Sequence, residues 1–308
     1  MKFKFFTSLL IFVSICCSAV KAEEINTVEK QTFTYSVKGA DTLRIDKYDS
    51  PTGTGEKPCI IFVFGGGFAR GTRDDSGYLH FYEQLVKTGY VVVAIDYRLG
   101  LKNLTDMPSD FNMTKVTTQM VRFVIAFRKA LKIAVEDLFD ATRYVVEHAE
   151  EWQINPNRIV VCGSSAGAIT VLQGEYEACN RFSSSKRLPQ DFKYAGVIAF
   201  AGAIFTTNGK LAWPEPPAPT LLFHGDADRE VPYGAIKFGP LGFYGSQPIA
   251  EQLSEMNFPS YFYAVKGGGH RLSTTPMTRN WGEISFFLEN FVTKKEKQII
   301  KTQVIPIK

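Results

Sequence analysis

The chain has 308 residues, of which 45% are hydrophobic and 21% charged, and its 35 basic and 31 acidic residues leave a net charge of +4. That near balance argues against a nucleic-acid binder and against a polybasic membrane-surface protein. Beyond residue 22 only Cys59, Cys162 and Cys179 occur, an odd set without close spacing, so they do not form a disulfide framework, and no metal-ligand spacing such as C-x-x-C or H-E-x-x-H appears.

Met1-Lys2-Phe3-Lys4 is a short basic start, Phe5 to Val13 an apolar run, and Val20-Lys21-Ala22 a small-x-small ending. This pattern predicts a secretory signal peptide over residues 1–22, cut after Ala22. The apolar run is too short for a membrane span. A lipid-anchored Cys16 is the alternative, although Ile15 stands where a small residue is usual. Removing residues 1–22 takes away three lysines and no acid, so the mature net charge is about +1. An exported protein is expected, periplasmic or extracellular in a bacterium, with no stable membrane insertion after cleavage. Asn103-Leu104-Thr105 and Asn112-Met113-Thr114 match the glycosylation sequon, which matters only in a eukaryotic secretory pathway.

Gln31 to Val37 and Thr42 to Tyr48 alternate like strands, joined by the turn signal Lys38-Gly39-Ala40-Asp41. Continuous apolar runs follow at Pro58 to Phe64, Tyr90 to Ile95, Ile159 to Cys162, Ala195 to Phe200, Thr220 to Phe223 and Tyr261 to Val265. Such runs suit strands covered on both faces of a parallel sheet. Helical patterns fall between them, at Tyr78 to Thr88, Thr114 to Glu151, Ala166 to Ala178, Pro248 to Met256 and Trp281 to Phe291. The alternation predicts a doubly wound α/β fold built of right-handed crossovers. Thr114 to Glu151 reads as one long helix or as two with a break near Lys132. No linker divides residues 23–308, so one domain is expected, with its core over about 31–292 and a basic, poorly ordered tail over 293–308.

The run Arg158 to Cys162 leads directly into Gly163-Ser164-Ser165-Ala166-Gly167. A Gly/Ser-rich turn would look the same in isolation. With a strand before it and a helix after it, the pentapeptide has the context of a nucleophile elbow, with Ser165 at the apex. A serine hydroxyl needs a base, an orienting acid and an oxyanion site. There are four histidines. His148 reads as part of a solvated helix face, His80 as a surface residue, and His224 as a strand-end ring that packs or hydrogen-bonds locally. His270, after Lys266-Gly267-Gly268-Gly269 and just past the last apolar run, is the expected base. For the acid, Asp226 and Asp228 are candidates behind the run Thr220 to Phe223, and either could also cap the turn there. The order Ser165, Asp228, His270 is the order of nucleophile, acid and histidine in an α/β hydrolase. Gly65-Gly66-Gly67 follows another buried run and could face a reacting carbonyl, with Ala166 supplying a further N–H. A phosphate-cradling reading of that loop fails, because no G-x-G-x-x-G or G-K-[ST] follows.

On these motifs the chain resembles the α/β-hydrolase superfamily. Within it, the resemblance is to the carboxylesterase and hormone-sensitive-lipase-like branch, including exported bacterial esterases of the feruloyl and acetyl xylan esterase sort. It runs from about Pro58 to Phe291 and is carried by Phe64 to Phe68, Asp96-Tyr97-Arg98, Asn155 to Arg158, Gly163 to Gly167, His224 to Pro232 and Gly269-His270. The resemblance implies an α/β-hydrolase fold, a mostly parallel eight-stranded sheet with helices on both faces. It implies Ser165 as nucleophile, Asp228 as acid (preferred over Asp226 by the H-G-x-x-D-x-x-V-P pattern) and His270 as base. Oxyanion N–H groups would come from Gly66, Gly67 and Ala166, with Asp96 as scaffold and no cofactor or metal. The implied reaction is cleavage of a small-molecule or carbohydrate-linked ester. The family often carries histidine where Phe64 stands, which puts the hydrogen bonding of the glycine loop in question. Phe68, Arg70, Arg73 and Asp74, the aromatic loop Lys210 to Pro219 with Trp213, and Gly239 to Gly245 with Phe243 and Tyr244 are candidates for a substrate pocket or for packing. A serine peptidase of the prolyl-oligopeptidase type shares the triad but normally has a large extra domain. A silent scaffold on the same fold and an acyltransferase are the other readings.

Overall fold

The computed structural model describes residues 27–51, 55–104 and 118–306. The leader-like residues 1–22 and the sequon at Asn112 lie outside the described residues. The apolar runs form strands for the reason the composition suggests. Cys59 to Val63, Val91 to Ile95, Ile159 to Cys162, Val197 to Phe200 and Leu221 to Phe223 are all fully buried. A strand covered on both faces has no polar side to show, so alternation disappears.

Nine strands make the main sheet: β1 (Glu29–Lys38), β2 (Asp41–Asp49), β3 (Lys57–Val63), β4 (Val91–Ile95), β5 (Ile154–Ser164), β6 (Gly196–Phe200), β8 (Thr220–Gly225), β11 (Ser260–Val265) and β12 (Ile299–Val304). Their order is β1-β2-β4-β3-β5-β6-β8-β11-β12. The β1–β2 hairpin and the β2–β4 pair are antiparallel, and every other pair is parallel. The ninth strand corrects the sequence reading of eight strands and a poorly ordered tail: β12 lies alongside β11 in parallel register, Ser260 opposite Ile299. Its alternating exposure is that of an edge strand.

A second, three-stranded antiparallel sheet is formed by β7 (Ala203–Thr206), β10 (Leu241–Gly245) and β9 (Ala235–Phe238). The aromatic segment 239–245 is therefore largely strand rather than loop. The helices are α1 (Ser76–Lys87), α2 (Thr118–Glu147), α3 (Ala166–Cys179), α4 (Ser246–Glu255), α5 (Pro276–Arg279) and α6 (Trp281–Phe287). α2 is a single helix of 30 residues with no break at Lys132. It packs on α3 and reaches the β1 strand. On one face of the sheet Phe62 meets Tyr78 and Phe81 of α1, and Phe81 meets Phe200. The other face carries α3, against which α2 lies.

Buried ions tie these layers. Asp137 of α2 is fully buried and takes the Arg98 guanidinium at 2.8 Å, the Arg98 N–H at 2.9 Å and Lys38 Nζ at 2.5 Å. One carboxylate thus joins α2, the segment after β4 and the hairpin. Asp96 is scaffold, as expected: it accepts from Arg73 at 2.8 Å and from the Arg44 N–H at 3.1 Å. Cys59, Cys162 and Cys179 are buried free thiols.

Candidate active site

β5 ends at Ser164 and α3 begins at Ala166, so the reversal between them falls on Ser165 alone. Ser165 sits at φ 51°, ψ −115°, a backbone conformation that L-residues adopt only under constraint. Two glycines supply the constraint. A Cβ on Gly167 would lie 2.0 Å from the Val63 carbonyl oxygen, and one on Gly163 2.3 Å from that of Gly167. α3 therefore presses directly on the end of β3, and the serine is lifted clear of both elements. The Ser165 N–H donates to the Phe200 carbonyl at 2.9 Å, which fixes the turn to β6.

Past β11, Gly267 (φ 69°) turns the chain so that His270 comes over the carboxyl ends of the strands. His270 Nε2 lies 2.8 Å from Ser165 Oγ. Its Nδ1 lies 2.8 Å from Asp228 Oδ2. The other Asp228 oxygen accepts the N–H groups of Glu230 at 2.9 Å and Val231 at 3.0 Å. Because a carboxylate faces Nδ1, the proton of the neutral ring belongs on Nδ1, and bare Nε2 accepts from the serine hydroxyl. The structure thus brings Ser165, His270 and Asp228 into one hydrogen-bonded chain. Asp226 lies outside that chain: its Oδ1 accepts the Gly267 N–H at 2.5 Å and steadies the histidine loop. Gly225 serves the same approach, since a Cβ there would lie 2.1 Å from the Gly268 carbonyl oxygen.

Burial opposes charge on Asp228, yet hydrogen bonds from His224, His270 and the Val231 N–H outweigh it and hold the carboxyl well below the usual carboxylate range. Burial likewise opposes charge on His270. The bond to Asp228, with the charges of Asp228 and Glu230, overcomes it and raises the imidazole above its ordinary value of 6.5.

The glycine loop lies against the serine. A Cβ on Gly65 would sit 3.2 Å from Ser165 Cβ. Gly66 (φ 120°) and Gly67 (φ 64°) both take left-handed backbone, and among the described residues no protein acceptor takes either N–H. Ala166 is the first residue of α3, so its N–H has no partner within the helix. Phe64, in the place where a histidine is common, does not leave the loop without support. Tyr97 donates its hydroxyl to the Phe64 carbonyl at 3.1 Å and packs its ring on Phe64 at 4.5 Å. Tyr78 Oη accepts the Gly65 N–H at 3.2 Å, and the Gly66 carbonyl takes the N–H groups of Ala69 and Arg70, each at 3.1 Å.

Several participants were not evident from motifs. Ser164, the neighbour of the apex serine, is buried and donates to the Ser273 carbonyl at 2.8 Å, tying the elbow to the turn that carries His270. Glu230 Oε2 comes within 3.7 Å of His270 Nε2. In the sequence Tyr78 marks only the start of a helical run and Tyr97 only the middle of Asp96-Tyr97-Arg98. Other candidates fall outside the site. His80 is exposed on α1, and His148, expected on a solvated face, is half-buried and stacks on Tyr144 at 4.0 Å. Arg73 is held by Asp46 and Asp96. Trp213 is buried against Tyr176, its indole N–H donating to Gln252 at 2.9 Å, so it packs the core. Phe68 is also buried. It leads into an aromatic cluster through Phe127 to Phe205 and Phe243, and the last three help line a small apolar pocket.

A family profile described as BD-FAE matches residues 45–134, and one described as alpha/beta hydrolase fold matches residues 111–187. Esterase 2 of Thermogutta terrifontis superposes with a TM-score of 0.61 in its propionate-bound form, at 19% identity, covering 85% of this chain and 94% of that one. This chain has the α/β-hydrolase fold. The fold explains why groups from β5, β8 and the loop after β11 converge: in open α/β sheets, sites gather at the carboxyl ends of the strands. Among curated proteins, the α/β-hydrolase-fold chain is 31% identical to fumonisin B1 esterase of Sphingopyxis macrogoltabida over 118 residues, 38% of this chain and 19% of that protein. It is 27% identical to gut esterase 1 of Caenorhabditis briggsae over 143 residues, 45% of this chain and 22% of that protein. The chain spans about a fifth of the length of these relatives.

Proposed function

We propose that the chain hydrolyses carboxylic esters of small molecules, with Ser165 as nucleophile, His270 as general base and Asp228 as its orienting acid. The observation that carries this reading is the unbroken chain Ser165 Oγ–His270–Asp228, with both links at 2.8 Å, set beside the Gly66 and Gly67 N–H groups, which no acceptor among the described residues takes. Ser165 Oγ attacks the ester carbonyl while Nε2 of His270 takes its proton. The negative charge that develops on the carbonyl oxygen is received by the N–H groups of Gly66, Gly67 and Ala166. Asp228 holds the ring tautomer and stabilises the imidazolium, which then protonates the departing alcohol. Water enters, gives a proton to Nε2 and releases the acid, restoring Ser165.

The esterase relatives support the reaction class. Within it, acylated carbohydrate is the finer assignment, and the leader-like residues 1–22 support action outside the cytoplasm. The test is a panel of nitrophenyl esters, acetylated and feruloylated sugars and a peptide anilide, with Ser165→Ala as the blank. Ester turnover is expected, and it should fall by several orders of magnitude in the variant. Near-wild-type ester turnover by Ser165→Ala would overturn the reading, and faster anilide than ester cleavage would favour a peptidase.

A further inference from the structure

His224 is the last residue but one of β8 and is fully buried. A ring so placed could be filler, since an aromatic hydrocarbon would occupy the same volume. Its polar contacts argue otherwise. Nε2 lies 3.2 Å from the Val231 carbonyl oxygen and 3.4 Å from Asp228 Oδ2, the same oxygen that receives His270 Nδ1. Both neighbours are acceptors, so Nε2 carries a hydrogen and shares it between them. On the far side, Nδ1 lies 2.7 Å from Ser246 Oγ. In the neutral ring Nδ1 is then an acceptor, and the serine hydroxyl donates to it rather than to the Gly202 carbonyl, which is 3.4 Å away. Ser246 itself is fixed. It is the first residue of α4 and fully buried, and the preceding Gly245 lies so close to the loop after Asp228 that a Cβ there would meet the Pro232 carbonyl oxygen at 1.7 Å.

We propose that His224 is a positioning residue for Asp228: a second histidine on the acid, locked by Ser246 with its hydrogen on Nε2, which shares the carboxylate oxygen used by His270. This rests on the role of Asp228 proposed above. The carboxylate then has donors on every side, namely the Glu230 and Val231 N–H groups on Oδ1 and the two rings on Oδ2. It cannot rotate away from His270, and part of its charge is spent on His224. Without His224, Oδ2 becomes a stronger acceptor toward His270. The imidazolium gains stability, and the base works only at higher pH. The other titratable groups around the pair are Glu230, 3.7 Å from His270 Nε2, Tyr233, whose ring meets His224 edge-on at 5.7 Å, and Asp226, held on the Gly267 N–H. All three remain in the variants.

The test uses the full chain with His224→Ala, His224→Gln and Ser246→Ala. It reads the pH profile of kcat/KM on a nitrophenyl ester and the downfield proton NMR signal of the His270 Nδ1–H. His224→Ala should lower kcat/KM by on the order of tenfold, move the acidic limb to higher pH and shift the proton signal further downfield. His224→Gln, which keeps a donor where Nε2 was, should restore most of the wild-type profile. Ser246→Ala frees the ring to change tautomer and should move limb and signal the same way by less. A uniform loss at every pH, with limb and signal unmoved in both alanine variants, would reduce His224 to packing and overturn the proposal. If His224→Ala does not fold, Ser246→Ala with a wild-type limb and signal overturns it. If wild type shows no Ser165-dependent ester turnover, the functional reading fails, and the proton signal still decides the role of His224.

Discussion

Replacing Glu230 by glutamine should move the acidic limb of kcat/KM to lower pH. As the proposed base, His270 acts only when neutral, so the rate is expected to fall as the pH drops through its value in the folded protein. That value lies above the ordinary imidazole value, in part through the charge of Glu230. Glu230 Oε2 stands 3.7 Å from Nε2, but its side chain is 72% exposed, so water and salt must be counted. Coulomb attraction at that separation in water is about 1 kcal/mol, and a Debye length of about 8 Å at physiological ionic strength leaves roughly 0.7 kcal/mol. That corresponds to about half a pH unit. At about 1 M salt the Debye length shrinks to about 3 Å, and the predicted difference falls to roughly 0.2 units. The assay compares wild type with Glu230→Gln from pH 5 to 9 on an uncharged nitrophenyl ester, in both salts. An upward shift, no shift at the lower salt, or an equal shift in both salts would refute the reasoning.

Three further substitutions test the scaffold, one of them a control. Gly167→Ala drives a Cβ to 2.0 Å from the Val63 carbonyl oxygen, where backbone faces backbone, and it should cost about 3 kcal/mol or more and lower Tm by roughly 10 °C. Gly282→Ala, with nothing within 4 Å, should leave Tm near that of wild type in the same melt. Asp137→Ala removes the carboxylate that Arg98 and Lys38 share but leaves Glu136 3.7 Å from Arg98 and Asp140 2.6 Å from Lys38, and it should cost about 1–3 kcal/mol, read as a lower urea midpoint. An unchanged midpoint would show that the junction of α2 with the hairpin does not depend on that carboxylate.

The parts of this fold legible in the sequence are those whose signal is local. Runs such as Ile159 to Cys162 are apolar throughout because both faces of the strand are covered. The glycines flanking Ser165 are required within five residues of one another, so the elbow could be read directly. The second sheet could not: β7 and β9 have only four residues each, β9 is largely exposed, and Gly239-Pro240 reads as a turn. β12 carries half-exposed polar and apolar residues behind a lysine-rich stretch, and only its pairing with distant β11 makes it a strand. At the site, the order of serine, aspartate and histidine was visible. The parts played by Ser164, Tyr78, Tyr97 and Glu230 were not, because each acts on a residue far away in sequence or through a turn whose shape no motif records. Asp226 and Asp228 are equivalent as residue types, and it is the H-G-x-x-D-x-x-V-P pattern that prefers Asp228. The path of the histidine loop gives the physical reason, bringing the Gly267 N–H to Asp226 and the imidazole to Asp228.

The central claim is that Ser165 is a nucleophile activated by His270. Reaction of the folded protein with a fluorophosphonate probe, followed by mass mapping of the adduct, tests it most directly. The label should fall on Ser165 rather than Ser164 and be abolished by Ser165→Ala. It should form far more slowly in His270→Ala. A folded wild-type protein that takes no label at Ser165, or takes it as fast without His270, would contradict the account.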